Sequence, residues 1–105
     1  MPSSEAEAHE ALATRVTVSE DTLTVELADG RTLAAPLAWY PRLAQASPQE
    51  RAAWRLLGGG VGIHWPAVDE DISVANLLAG RRSAESQASF KLWLAGRPKT
   101  TRDPA

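Results

Sequence analysis

The chain contains no cysteine, which excludes disulfide frameworks, thiolate nucleophiles and cysteine-ligated metals together. No apolar run approaches the ~20 residues that cross a bilayer. The opening Met1-Pro2-Ser3-Ser4-Glu5-Ala6-Glu7 has neither the basic nor the apolar region of a secretory signal. Together these predict a cytoplasmic protein without a membrane partner. A Gly-x-Ser-x-Gly elbow is missing too, and Ser83, Ser86 and Ser89 have no neighbouring histidine to activate them, so hydrolase chemistry has no visible nucleophile. The run Gly58-Gly59-Gly60-Val61-Gly62 is not followed directly by Lys-Ser or Lys-Thr, and it follows an expected helix where a phosphate loop would follow a strand. It reads as a helix stop.

What is present suits one small globular domain. A chain of 105 residues, 44% hydrophobic and 23% charged, can bury one modest core. The net charge of −2 hides an asymmetry. Every acidic residue except Glu85 and Asp103 precedes Gly80, whereas Arg81, Arg82, Lys91, Arg97, Lys99 and Arg102 follow it. An acidic body therefore carries a basic tail; clustered cations of that kind can meet phosphates or another acidic surface, but the preferred reading is a tail that folds back on its own acidic body or is solvated.

Residues 1–14 show no core pattern and read as a disordered arm; residues 15–80 form the domain, and residues 81–105 a hinge, a short helix and a basic tail. Val16 and Val18, then Leu23, Val25 and Leu27, alternate with polar residues in the period-two pattern of half-buried strands, with Glu20-Asp21 between them. Asp29-Gly30 predicts a two-residue hairpin turn, with Arg31 to Ala35 returning as a third strand. Pro36 and Pro41 bound a corner that seats Trp39 and Leu43 under the sheet. Ser47-Pro48-Gln49-Glu50 predicts a capped helix of about three turns with Ala53, Trp54 and Leu57 facing the core, ended by Gly58-Gly59-Gly60. Val61, Ile63 and Trp65 alternate as a fourth strand. A strand-like piece around Ile72 precedes a helix capped by Ser73 and ended by Gly80; Gln87 to Ala95 fits an amphipathic helix with Phe90, Trp93 and Leu94 on one stripe, the reading preferred over a strand with Phe90, Leu92 and Leu94 on one face. The fold class expected is α+β: a small antiparallel sheet of four to five strands, two short helices and a C-terminal amphipathic helix.

His64 with Asp69 and Asp71 has the residue types of a metal site or an acid/base pair. One imidazole and two carboxylates beside a turn are equally explained by packing: His64 falls on the strand face opposite Ile63 and Trp65, and Asp69 or Asp71 can cap backbone N–H groups. No catalytic, metal or cofactor residue is assigned. The four tryptophans divide into core positions, Trp54 and Trp65, and contact candidates, Trp39 and Trp93, because aromatic residues are enriched in interface cores.

The motifs Asp29-Gly30-Arg31, Trp39-Tyr40-Pro41-Arg42-Leu43, Glu50-Arg51 with Trp54, Ile63-His64-Trp65-Pro66 and Asp69-Glu70-Asp71-Ile72-Ser73-Val74 with Leu77-Leu78 resemble the bacterial family catalogued as domain of unknown function 2442, over residues 15 to 80. The resemblance implies a small α+β fold whose members are often encoded beside another small protein, in the manner of a toxin–antitoxin pair. It brings no catalytic residues. The function expected is thus a non-enzymatic protein-interaction or regulatory module, binding a protein partner or a second copy through Trp39, Tyr40, Phe90, Trp93 and Leu94. The alternative is an accessory protein that contacts nucleic acid through Arg81, Arg82, Lys91, Arg97 and Lys99.

Overall fold

A computed structural model describes residues 11–97 of the chain. Alternating apolar and polar residues make the strands β1 (Ala13–Val18), β2 (Thr22–Leu27) and β3 (Thr32–Pro36), paired antiparallel in that order. On β2, Leu23, Val25 and Leu27 turn inward and are buried, while Glu26 is exposed. Val16 lies opposite Val25 and Ala35 opposite Leu23, so the inward face is continuous across the strands. The connection after β2 is one residue longer than a two-residue Asp-Gly turn. Ala28, Asp29 and Gly30 form it, the Leu27 N–H donates to the Arg31 carbonyl at 2.8 Å, and of these three only Gly30 has positive φ, at 95°. A turn closed by one left-handed glycine leaves Asp29 in ordinary conformation. Its carboxylate accepts the Arg31 N–H at 3.0 Å.

Pro36 ends β3, and a 3-10 turn (Leu37–Trp39) and a one-turn helix α1 (Pro41–Ala44) build the expected corner. Leu37, Tyr40 and Leu43 are buried there, and Trp39 is half-buried. Helix α2 (Pro48–Ala52) starts on the anticipated capping box: Ser47 Oγ accepts the Glu50 N–H at 3.1 Å and Glu50 Oε1 accepts the Ser47 N–H at 2.8 Å.

Helix α2 does not run to Leu57. Ala53 leaves helical geometry at φ −96° and ψ 65°. Arg55–Leu57 becomes strand β4, and Gly58, Gly59 and Gly60, at φ 56°, 75° and 121°, turn the chain into β5 (Gly62–Trp65). A glycine run that could end a helix therefore closes a hairpin. One left-handed residue is enough for a helix end, whereas three in succession form a loop. The tertiary reason lies in Trp65, whose indole N–H donates to the Arg51 carbonyl at 3.1 Å and holds the end of α2 against β5. After a 3-10 turn (Pro66–Val68), β6 (Glu70–Ser73) completes a second antiparallel sheet in the order β4-β5-β6. The expected single sheet of four to five strands is thus two sheets of three. Of the residues assigned to the longer helix and the fourth strand, Leu57 and Val61 are exposed and Trp54 is half-buried.

The sheets meet where the Ala13 N–H donates to the Gly60 carbonyl at 2.8 Å. Leu23, Val25, Leu37, Leu43, Ile63, Trp65 and Val68 form the most deeply buried part of the core between them. Ser73 caps α3 (Val74–Leu78) by accepting the Asn76 N–H at 3.0 Å, and Gly80, at φ 73°, follows its end. Residues 81–86 run as an irregular strap to α4 (Gln87–Ala95), which Ser86 caps. Of the expected arm, residues 1–10 lie outside the described residues, whereas Ala13 and Thr14 belong to β1.

Candidate functional site

Cross-strand register sorts the chemistry of the second sheet onto two faces. Leu56, Ile63 and Ile72 are partners across its three strands, as are Arg55, His64 and Asp71. Because successive side chains alternate, Ile63, Ile72, Trp65 and Glu70 share the inner face, while Arg55, His64 and Asp71 share the outer one. His64 thus lies opposite Ile63 and Trp65 as the sequence predicts, and its Nδ1 is hydrogen-bonded to Asp71 Oδ1. Asp69 is drawn elsewhere. It ends the Pro66–Val68 turn in left-handed geometry at φ 52°, and its carboxylate points toward Arg42 at 3.9 Å. The two aspartates grouped with His64 in sequence are therefore separated. Neither caps α3, a role Ser73 takes. Among the described residues, no three His, Asp or Glu side chains converge as a metal site.

The inward turn of Glu70 creates the most unusual electrostatic feature of the molecule. Burial pushes its carboxyl up to about 7; the Arg42 guanidinium opposes that shift, and Glu85, Asp71 and Asp69 add to it. Glu70 lines a cleft of about 360 Å³ with Arg42, Asp69, Asp71 and the strap residues Ser83, Ala84 and Glu85. Arg42 organises this cleft. Its Nε and Nη2 donate to Glu85 at 2.9 and 2.6 Å, and its Nη1 donates to the Val68 carbonyl at 3.2 Å. The hydrogen bonds from Arg42 hold the Glu85 carboxyl below its ordinary range. Behind the cleft, burial raises the Tyr40 hydroxyl above its usual value, and nearby Glu70 adds to this.

The proposed contact residues are distributed differently from expectation. Tyr40 is buried and its hydroxyl donates to the Arg81 carbonyl at 3.1 Å, so it belongs to the core and not to a contact surface. Trp39 is half-buried, with the Arg82 guanidinium 5.0 Å from its ring centre. Phe90, Trp93 and Leu94 are half-buried, and Trp93 packs against the core. Phe90 stacks on Trp93 at 5.8 Å, and the guanidiniums of Arg42 and Arg97 lie over the Trp93 ring at 4.9 and 5.0 Å. The strap is tied down as well, since the Ser83 N–H donates to the Trp39 carbonyl at 3.1 Å. Of the five basic candidates, Arg81, Arg82 and Lys91 are exposed, and Arg97 is bound to Glu50 at 2.9 Å. Lys99 lies outside the described residues.

Two features escaped the sequence reading. The first is Glu70, which period-two alternation with Ile72 was sufficient to place inward. The second is an apolar groove of about 160 Å³ lined by Ala11, Val61, Val74, Ala75 and Leu78. No local pattern marks that groove, because Val61 follows a hairpin and Leu78 ends a helix.

Comparison with known proteins adds kinship without activity. The profile of the family described as Protein of unknown function (DUF2442) matches residues 13–83, ending inside the strap before Glu85 and α4. The chain is similar to a crystal structure of a protein of unknown function from Rhodospirillum rubrum, with 32% identity and a TM-score of 0.60, covering 73% of this chain and 93% of that one. It is also similar to the solution structure of an uncharacterized protein from Chromobacterium violaceum, with 24% identity and a TM-score of 0.64, covering 85% and 84%. That second likeness concerns the fold alone. No curated protein matches the chain.

Proposed function

The chain belongs to the DUF2442 family, and from that premise we propose that it is a cytoplasmic, non-enzymatic regulatory module that docks a second small protein, as the antitoxin-like member of a bacterial pair. The observation that carries this reading is the exposed apolar face beside the β4–β5 hairpin. Val61 is 55% exposed, Leu78 42% and Leu57 41%. Val61 and Leu78 line the groove that Val74 floors. Large apolar side chains grouped at a groove favour a protein surface as their cover. Strand β4 is also the edge of its sheet, so a partner strand has a place to add beside it. The tail stripe supports this reading less, because Trp93 already packs on its own body.

The test is co-expression of the full chain with the product of the neighbouring gene, followed by sedimentation of the purified mixture. A stable complex that tolerates salt and is lost in both Val61→Asp and Leu78→Glu supports the reading. A complex indifferent to both substitutions overturns this surface. Binding to DNA or RNA that falls steeply with salt and depends on Arg81, Arg82 and Lys91 would favour the nucleic-acid alternative instead.

A further inference from the structure

Glu70 is half-buried beside a part of the chain that polar contacts and the packing of Trp93 hold to the body. Strap residues Ser83, Ala84 and Glu85 form one wall of its cleft. The charged and titratable groups around it are Arg42 from α1, Tyr40 from the preceding turn, Glu85 from the strap, Asp69 from its own segment, and Asp71 on the outer face of the same strand. Arg81 and Arg82 line the adjoining cleft, and His64 of β5 engages Asp71 on the outer face of the sheet. One guanidinium therefore clasps Glu85 beside a second carboxylate. Helix α4 is tied to the same clasp: none of its residues is buried, Leu92 is 77% exposed, and Ser89 Oγ donates to Glu85 at 2.8 Å. Its far end is tied through Arg97 to Glu50 and to the Gln45 carbonyl.

We propose that residues 81–97 are a pH-gated latch: ionisation of Glu70 loosens the Arg42–Glu85 clasp, and the strap and α4 lift from the body, freeing Trp93 and the surface of α1. The latch is independent of the partner surface at Val61 and Leu78. Its sign follows from linkage. With the strap closed, burial keeps the Glu70 carboxyl at about 7. Opening removes the strap wall and hydrates the carboxyl more fully, so the open form binds the proton less tightly and gains population as pH rises, by at most about tenfold per pH unit for one proton. The ionised carboxylate also repels Glu85 and competes with it for Arg42.

The experiment is amide hydrogen exchange on the full chain from about pH 6 to about pH 8, expressed as protection relative to the unstructured rate at each pH. The Ser83 amide, bonded to Trp39, and the Phe90 amide, bonded to Ser86, report on the latch, and Val25 reports on the core. Protection at Ser83 and Phe90 is expected to fall by about tenfold across the range while Val25 holds. In Glu70→Gln the protection should stay high and flat, whereas in Glu85→Gln it should be low throughout. His64→Gln removes the His64–Asp71 pair on the outer face of the sheet and should behave as the native chain does. A native chain without the fall, a fall that persists in Glu70→Gln, or one abolished by His64→Gln overturns the latch.

Discussion

The carbonyl of Gly60 accepts the Ala13 N–H at 2.8 Å, and a Cβ built on Gly60 would lie 2.6 Å from the Ala13 carbonyl oxygen. That contact joins the first strand of one sheet to the hairpin of the other at a position where only glycine fits. The backbone requirement is independent of the space, because φ there is 121°.

Gly60→Ala should therefore destabilise the fold by about 2–4 kcal/mol, combining backbone strain with displacement of β1. Gly30 is the control. Its φ is 95°, but a Cβ there meets nothing within 4 Å, so Gly30→Ala should cost only about 1–2 kcal/mol from conformation. Urea titration of both variants measures the difference, and equal costs would show that the close approach to Ala13 is unimportant.

Trp65 is fully buried, and its indole holds the end of α2 through the Arg51 carbonyl. Truncation in Trp65→Ala should cost about 3–5 kcal/mol, enough to unfold much of a domain of this size. Trp65→Phe keeps most of the volume but leaves the Arg51 carbonyl unpaired, for a smaller loss of about 1–3 kcal/mol. Denaturation midpoints with unchanged slope give both values.

The acid side of stability is set by Glu50 and Glu85. Hydrogen bonds from Arg97 to Glu50 and from Arg42 to Glu85 hold both carboxyls below the ordinary range. Their contribution is thus present above the usual carboxylate value of 4.5 and is lost as pH falls below it. Glu70 acts in the opposite sense: raised from 4.5 to about 7, it favours the fold at low pH and loses that contribution as pH rises through this window. Stability should peak between the two regimes, near pH 5, and Glu70→Gln should flatten the alkaline slope. Thermal melts across pH decide it, and an unaltered slope in the variant would remove Glu70 from the account.

Deleting residues after Gly80 removes the partners of the Tyr40 hydroxyl and the Trp39 carbonyl and the Glu85 partner of Arg42. The shortened chain should fold, because both sheets and the deep core precede Gly80. It should be weaker by about 2–4 kcal/mol through loss of the part-buried Arg42–Glu85 pair and the cover over Trp39 and Tyr40. Circular dichroism with urea titration measures this. A shortened chain as stable as the full one would mean that the docked tail contributes nothing to folding.

His64→Ala should leave partner binding intact and change stability by less than about 1 kcal/mol, because the His64–Asp71 pair is on the outer face of the sheet. Complementation in the native host, together with a melting curve, tests this. Loss of function without loss of stability would point to chemistry at His64.

Local signals determined much of this protein by themselves. The alternation through Leu23, Val25 and Leu27 defined β2, Ser47 and Glu50 set the start of α2, Ser73 set the start of α3, and the placement of Ile63 and Trp65 opposite His64 followed from period two. The same sequence supported family membership, because the Trp-Pro and Asp-Ile-Ser-Val motifs lie within the matched span. The end of α2 was not local. Ala53 to Leu57 satisfies helical spacing, and only the bond from Trp65 to Arg51 and the pairing of β4 with β5 end the helix before it and make Arg55–Leu57 a strand. Likewise, an apolar stripe at Phe90, Trp93 and Leu94 shows that something must cover it, but not what. Arg42, distant in sequence, decided that by bringing its guanidinium over Trp93 beside that of neighbouring Arg97. The environment of Glu70 depended on tertiary structure for the same reason: alternation turns it inward, but its burial and the competition for Arg42 exist only once the strap has crossed β6.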